Sequence, residues 1–157
     1  MFVNKRVKSV TYRVMESLYH RMGLSWSDEF YFQNQVSGHI GESGLDEFLQ
    51  LIAHLCTIFV NIMLRQNGTE FEIDTILVRG NQMHLYDVKN YQGEYYDEDG
   101  RMVSASGRRV ANPFGKLDRA ETLMTQFLKR FGLNYEVSAF VVYINEEFTF
   151  HGAPHNE

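Results

Sequence analysis

The chain has 157 residues, 44% of them hydrophobic and 14% aromatic, which suits one domain with a sizeable core and excludes a disordered segment. Its net charge of −5 argues against a generic nucleic-acid-coating protein, and its single cysteine, Cys56, rules out an intrachain disulfide and fits a reducing cytoplasm. The first six residues lack the apolar run of a signal peptide. The apolar stretch from Phe48 to Leu64 is interrupted by Gln50, His54 and Asn61 and is short for a bilayer span, so a buried helix followed by a strand is expected there.

In chain order, Val7, Val10, Val14, Leu18 and Met22 give a helical pattern that ends at Gly23. A second helix is expected to start near Ser27 as N-cap. Ser37-Gly38-His39-Ile40-Gly41 reads as a turn or loop before a helix carrying Leu45, Phe48, Leu49, Ile52 and Leu55 on one face and ending near 54–56. Thr57–Arg65 is dense in β-branched residues, and Gln66-Asn67-Gly68 turns it into a second strand, Phe71–Arg79. Gly80-Asn81 is a two-residue hairpin signal leading into Gln82–Asn90. Asp97-Glu98-Asp99-Gly100 joins two short strands, Gly93–Tyr96 and Arg101–Ser104, and Ser106-Gly107-Arg108-Arg109 is a loop. Asn112-Pro113 opens a helix, with Asn112 as N-cap, a stripe of Phe114, Leu117, Met124, Phe127, Leu128 and Phe131, and Gly132 as its stop. Val137–Ile144 is a buried strand.

The Gly80-Asn81 turn sets a register. Arg79 faces Gln82, so Asp74 is expected directly across from Asp87, and Glu72 across from Lys89, all four on one face. Two carboxylates placed so close repel each other unless a counter-ion intervenes, and a hard divalent cation would supply one. The competing reading is a structural one, with Lys89 paired to Glu72 across the hairpin and Asp74 paired to an arginine. Charge is unevenly spread. Residues 1–22 carry +4, residues 23–100 carry −10, residues 101–130 carry +5 and the last 27 residues carry −4. An acidic middle flanked by basic segments suits a protein that holds metal with its acids and phosphate with its bases, although ordinary solvated faces give the same pattern.

Gly38-x-x-Gly41-Glu42, then Glu72-Ile73-Asp74, then Asp87-Val88-Lys89-Asn90-Tyr91-x-Gly93, then Asn112-Pro113-Phe114-x-x-Leu117-x-Arg119-Ala120 resemble, in order, the four motifs of the nuclease-related domain (NERD) family. The resemblance covers roughly residues 37–150, preceded by a helical extension over 1–36 and followed by a polar tail, 151–157. It implies the α/β, restriction-endonuclease-like αβββαβ core of the PD-(D/E)xK nuclease superfamily, with a mixed central sheet flanked by helices. It further implies Asp74 and Asp87 as metal-binding acids, with Glu42 completing the metal shell directly or through water. Lys89 would orient or activate the attacking water, or stabilise the developing phosphorane charge. The ion would be Mg²⁺ or Mn²⁺, the substrate DNA and the reaction phosphodiester hydrolysis. The chain departs from the family in two places: Asp87 stands where Glu is frequent, and Lys116 stands where Gln is common.

A cation at 116 suits phosphate. Arg108, Arg109, Lys116 and Arg119, in the +5 segment around a helix start, are therefore the expected phosphate contacts. His151-x-x-x-His155 has metal-ligand spacing within the polar tail. His39 and His54 read as loop and helix-end residues, and Cys56 as core. Tyr86, Tyr91, Tyr95 and Tyr96 are expected to pack, with base stacking as the alternative. The function expected is an endonuclease. The alternative is a catalytically silent module of the same fold that binds nucleic acid or a protein partner. The sequence leaves the oligomeric state open, and a homodimer is compatible with either reading.

Overall fold

The computed structural model describes residues 1–99, 101–110 and 113–152. The elements run α1 (Val10–Tyr19), α2 (Trp26–Gln50), β1 (Thr57–Gln66), β2 (Thr69–Arg79), β3 (Gln82–Lys89), β4 (Gly93–Glu98), β5 (Arg101–Ser104), α3 (Phe114–Arg130), β6 (Glu136–Tyr143) and β7 (Phe148–His151). From α2 onward this is the expected αβββαβ order, with β4 and β5 inserted as a side hairpin and β7 added. The main sheet is mixed, in the order β1-β2-β3-β6, with β1, β2 and β3 antiparallel in sequence and β6 parallel to β3. A smaller sheet, β5-β4-β7, stands beside it.

Each face of the main sheet is covered by one helix. Leu45 and Leu49 of α2 pack with Ala53, Cys56, Ile58, Val60, Leu77 and Val88, while Met124 and Leu128 of α3 pack with Ile73, Ile76, Met83 and Leu85. These faces do not follow a simple alternation. In β1, Phe59 lies on the α3 side, and so do Ile62 and Leu64. In β2, Phe71 and Ile73 lie on that side, and so do Ile76 and Val78. The period of two slips by one residue in both strands, at Asn61 and at Asp74. Asn61 has φ = 50°, in the left-handed region that asparagine tolerates better than most residues.

This slip overturns the expected direct opposition of Asp74 with Asp87 and of Glu72 with Lys89, although Glu72, Asp74 and Asp87 still line one small recess. The Arg79↔Gln82 register holds, but the β2–β3 ladder ends at Thr75↔Tyr86, and Glu72 pairs with Met63 of β1 rather than with Lys89. Beyond Thr75 the strands part, and the Asp74 side chain replaces the missing rung: its Oδ2 accepts the Val88 N–H at 2.8 Å.

The helical segments differ from expectation at three places. Residues 37–41 are not a loop but the middle of α2, whose N-cap is Ser25 rather than Ser27. Gly41 is required there for close approach: a Cβ would lie 2.7 Å from Asn90 Cβ and 3.1 Å from Ile144 Cγ2. On α1 the buried residue is Tyr12, edge-on to Phe32 and His39, while Val10 and Val14 are exposed, as are Val7 and Met22 outside its ends. On α2, Leu45 and Leu49 are buried but Phe48 faces solvent; the helix ends at Gln50 rather than near 54–56, and Ile52 and Leu55 lie exposed in the turns beyond it. The expected Asn112 cap, the Gly100 turn position and His155 lie outside the described residues. Gly132, at φ = 69°, ends α3 as expected, with the Leu133 N–H reaching back to Leu128 O at 3.0 Å.

Residues before α1 form an arm along the edge of β1. Phe2 bridges Ile58, and the Asn4 side chain bonds both the N–H and the C=O of Val60, at 3.0 and 2.7 Å. Asn4 thus satisfies edge groups that would otherwise be open to another strand. The arm then delivers Arg6 beneath α2.

Candidate active site

Where β2 and β3 part, a cleft of about 540 Å³ opens between α2, the end of β3 and the start of α3. Glu42, Asp74, Lys89 and Lys116 all line it. Asp87 lies directly behind, in a small recess shared with Asp74 and Lys116. Glu42 and Asp74 also line a second cleft of about 230 Å³. They therefore stand in the wall between the two.

Asp87 is 5% exposed. Lys116 donates to its Oδ1 at 2.7 Å, and Lys89 forms an ion pair with its Oδ2, which accepts no hydrogen bond of good geometry. Lys89 is therefore paired with Asp87 on its own strand, not with Glu72. Burial opposes the charge on the Lys116 ammonium, but the hydrogen bond and charge of Asp87 outweigh it and raise its pKa. Asp74 is shifted upward, first by burial and then by the charge of Asp87, with the Val88 N–H pulling the other way. Glu42 is pushed up to about 7 by burial and by the charge of Asp74, against the downward pull of Arg6. Burial is the first cause of the shift in both acids, and a neighbouring carboxylate adds to it.

Arg6 has no signal in the sequence beyond its charge. Its side chain is 4% exposed and donates to Glu42 Oε2 at 2.6 Å, to both carboxylate oxygens of Asp46, to Asn61 Oδ1, to the carbonyl of Asp74 and to Thr75 Oγ1. It ties the arm, α2, β1 and β2 together at the point where the alternation slips. Asn90 has a similar bracing role. It donates to Ser37 O at 3.0 Å and accepts from Asn145 at 3.0 Å, which clamps α2 at Gly41 against the end of β3.

The expected phosphate contacts divide. Arg108 and Lys116 line the cleft. Arg109 is exposed and bridges Val103, and Arg119 is exposed on α3; neither lines the cleft. Of the tyrosines, Tyr95 is buried and Tyr86 and Tyr91 are half-buried, as expected, whereas Tyr96 is exposed and stacks on His151. Tyr91 stacks with Tyr95, and Tyr143 stacks with Phe148 at 4.1 Å, joining the small sheet to the large one. Among the described residues no three His, Cys, Asp or Glu side chains are gathered to hold a metal as they stand. Among them, too, no helix is long and apolar enough to cross a membrane.

A model of the nuclease-related domain matches residues 37–144. No curated protein matches the chain. Among solved structures, protein VC1899 from Vibrio cholerae aligns over 85% of this chain and 33% of its own, at 14% identity and a TM-score of 0.39. A protein of unknown function, AF1548, aligns over 69% of this chain and 55% of its own, at 15% identity and a TM-score of 0.33. The chain thus spans about a third of one and about half of the other, and both likenesses are too slight to bear on the site.

Proposed function

The chain belongs to the nuclease-related domain family, and we propose that it is a Mg²⁺-dependent endonuclease that hydrolyses phosphodiester bonds in DNA. The observation that carries this reading is the meeting of Glu42, Asp74, Lys89 and Lys116 in one open cleft, with Asp87 directly behind.

The donor set fits the ion. Mg²⁺ takes hard oxygen ligands and is commonly held by one or two carboxylates, with waters and substrate phosphate completing its shell. Asp74 and Asp87 would hold it, and Glu42 would reach it directly or through water. The raised pKa values of Asp74 and Glu42, set first by burial and then by a neighbouring carboxylate, are compatible with the same reading, because a bound cation would favour their ionised forms. When bound, the ion would neutralise phosphoryl oxygens and favour a hydroxide nucleophile.

The protein's own groups do the rest. Lys89 stands at the cleft rim two residues from a metal-binding acid, where its ammonium orients the attacking water or offsets charge on the phosphorane. The Lys116 side chain is 57% exposed despite its bond to Asp87, so it is free to leave that carboxylate for a phosphate oxygen. Arg108 adds a second phosphate contact at the cleft wall. Asn90 and Gly41 keep Glu42 within reach of Asp74.

Lys116 on Asp87 and Arg6 on Glu42 also favour a second reading, in which the acids are permanently neutralised and the domain only binds. The deciding experiment incubates purified protein with plasmid and branched DNA in Mg²⁺ or Mn²⁺ against EDTA. Metal-dependent cleavage that Asp87→Ala abolishes supports the nuclease. DNA binding without cleavage in any metal supports the silent module.

A further inference from the structure

Trp26 and Phe30 lie one turn apart on α2 and stack with ring centroids 5.8 Å apart and planes 14° from parallel. Neither belongs to the core. Trp26 is 81% exposed and Phe30 45%, while α2 uses Phe32, Leu45 and Leu49 for burial. Two stacked rings left in water forgo a large favourable burial. The Arg108 guanidinium sits 5.9 Å from the Phe30 centroid, so a cation is joined to the pair.

The position of the pair connects it to the active site. The helical row that holds Trp26 and Phe30 continues at i+4 to Asn34 and then to Ser37 and Gly38, all three of which line the cleft. Arg108 lines the same cleft, together with Lys89 and Lys116. At 1.5 Å rise per residue, Asn34 is only about 12 Å along the axis from Trp26. Asp28 projects from the opposite side of the helix and is bound to the Ser25 hydroxyl. The surface therefore offers flat aromatic faces, then a cation, then a polar cleft with two more cations. That order matches a nucleic-acid strand, with bases for the rings and phosphates for the cations.

We propose that Trp26 and Phe30 form a base-stacking platform that feeds a single-stranded stretch of nucleic acid into the cleft, with Arg108 on its phosphate. Bases inside a duplex are already stacked on both faces, so the platform selects unpaired bases beside the scissile bond. The proposal rests on the reading of the cleft as a nucleic-acid site and names the substrate class for it.

Trp26 is the chain's one tryptophan, so its emission reports on the platform directly. The experiment titrates the full chain in EDTA with a twenty-nucleotide oligo-dT, the same length of oligo-rU, and a blunt duplex, following tryptophan emission and, separately, the anisotropy of labelled strands. Quenching by the single strands and not by the duplex is expected. The dT and rU arms show whether the strand is DNA or RNA. Trp26→Ala and Phe30→Ala should each weaken single-strand binding roughly five- to 150-fold, the worth of one stacked base, and Trp26→Phe should restore most of it. Circular dichroism of each variant should match the wild type, since these side chains project into solvent. Saturable anisotropy with unchanged emission, or equal affinity in Trp26→Ala, overturns the platform while leaving the cleft a nucleic-acid site. Binding of neither single strands nor duplex overturns both, and would turn attention to a protein or membrane surface on the exposed rings.

Discussion

Glu42 offers the sharpest test of the electrostatics. Its carboxyl is lifted from an ordinary 4.5 to about 7, because burial and the charge of Asp74 disfavour the ionised form more than Arg6 favours it. The folded protein therefore holds this proton over a range where the unfolded chain has already released it. Between about pH 4.5 and 7 the native state binds more protons than the unfolded state, so stability falls as pH rises through that window and then levels. With one pKa unit worth about 1.4 kcal/mol, the penalty on the folded state is just under about 1 kcal/mol at pH 5 and about 3 kcal/mol at pH 8.

The perturbation is Glu42→Gln. Glutamine keeps an oxygen acceptor for Arg6 but cannot ionise, so this share of the pH slope disappears. Relative to wild type, the variant should gain about 2–3 kcal/mol between pH 5 and pH 8. For a chain of this size that corresponds to a relative rise in Tm of roughly 4–12 °C. The assay is urea or thermal unfolding of both proteins at the two pH values, in EDTA so that no divalent ion screens the acids. Parallel pH profiles for the two proteins would refute the reasoning, because they would mean that Glu42 does not titrate between folded and unfolded states in this window.

Further expectations concern its neighbours. Lys116→Gln removes the ammonium from Asp87 Oδ1; Mn²⁺ should bind more tightly in calorimetry, by roughly tenfold if about 1.4 kcal/mol of competition is relieved, and unchanged affinity would show that the lysine does not compete. Lys89→Ala should abolish cleavage while lowering Tm by no more than a few degrees, since Lys116 still neutralises Asp87; retained cleavage with a large loss of stability would make Lys89 a structural ion partner instead. Gly41→Ala should destabilise by about 1–3 kcal/mol in urea titration, because the overpacked methyl outweighs the roughly 1 kcal/mol gained in helix propensity. A neutral or stabilising result would show that α2 can shift away from Asn90.

Much of the fold was legible because its signals are local. Gly80-Asn81 set the hairpin register, Gly132 ended α3, and the apolar density of β1, β2, β3 and β6 marked the sheet. The misreadings came from nonlocal causes. Extrapolating a period of two from the turn placed Asp74 opposite Asp87, but a left-handed residue at Asn61, on the neighbouring strand, lets both strands slip. Nothing in the text of β2 itself reports that. Gly38 and Gly41 read as turn residues because glycine relaxes the backbone, whereas Gly41 is used to let Asn90 and Ile144 approach a continuous helix. The valines of α1 suggested a buried stripe, but Tyr12, packed against Phe32 and His39, took the inner face. Arg6 was visible only as one charge among several, since its partners come from residues 36 to 69 positions away.

The three cations paired to the site's acids are graded by burial, and the grading assigns them different work. Arg6 is 4% exposed, Lys89 21% and Lys116 57%. Withdrawing a buried partner leaves an uncompensated charge, at a cost of about 3–5 kcal/mol, whereas an exposed ion pair is worth about 1 kcal/mol or less. Arg6 is therefore fixed and serves to hold Glu42 and the arm in place. Lys116, on the open side of Asp87, is the ammonium that a divalent ion or phosphate, if bound as proposed, would displace at least cost. Lys89 lies between them, held by Asp87 yet reaching the cleft. A site built of acids alone would repel itself open, and one whose counter-ions were all as buried as Arg6 could not exchange them. This arrangement keeps the acids together when no metal is bound and leaves one counter-ion that can give way.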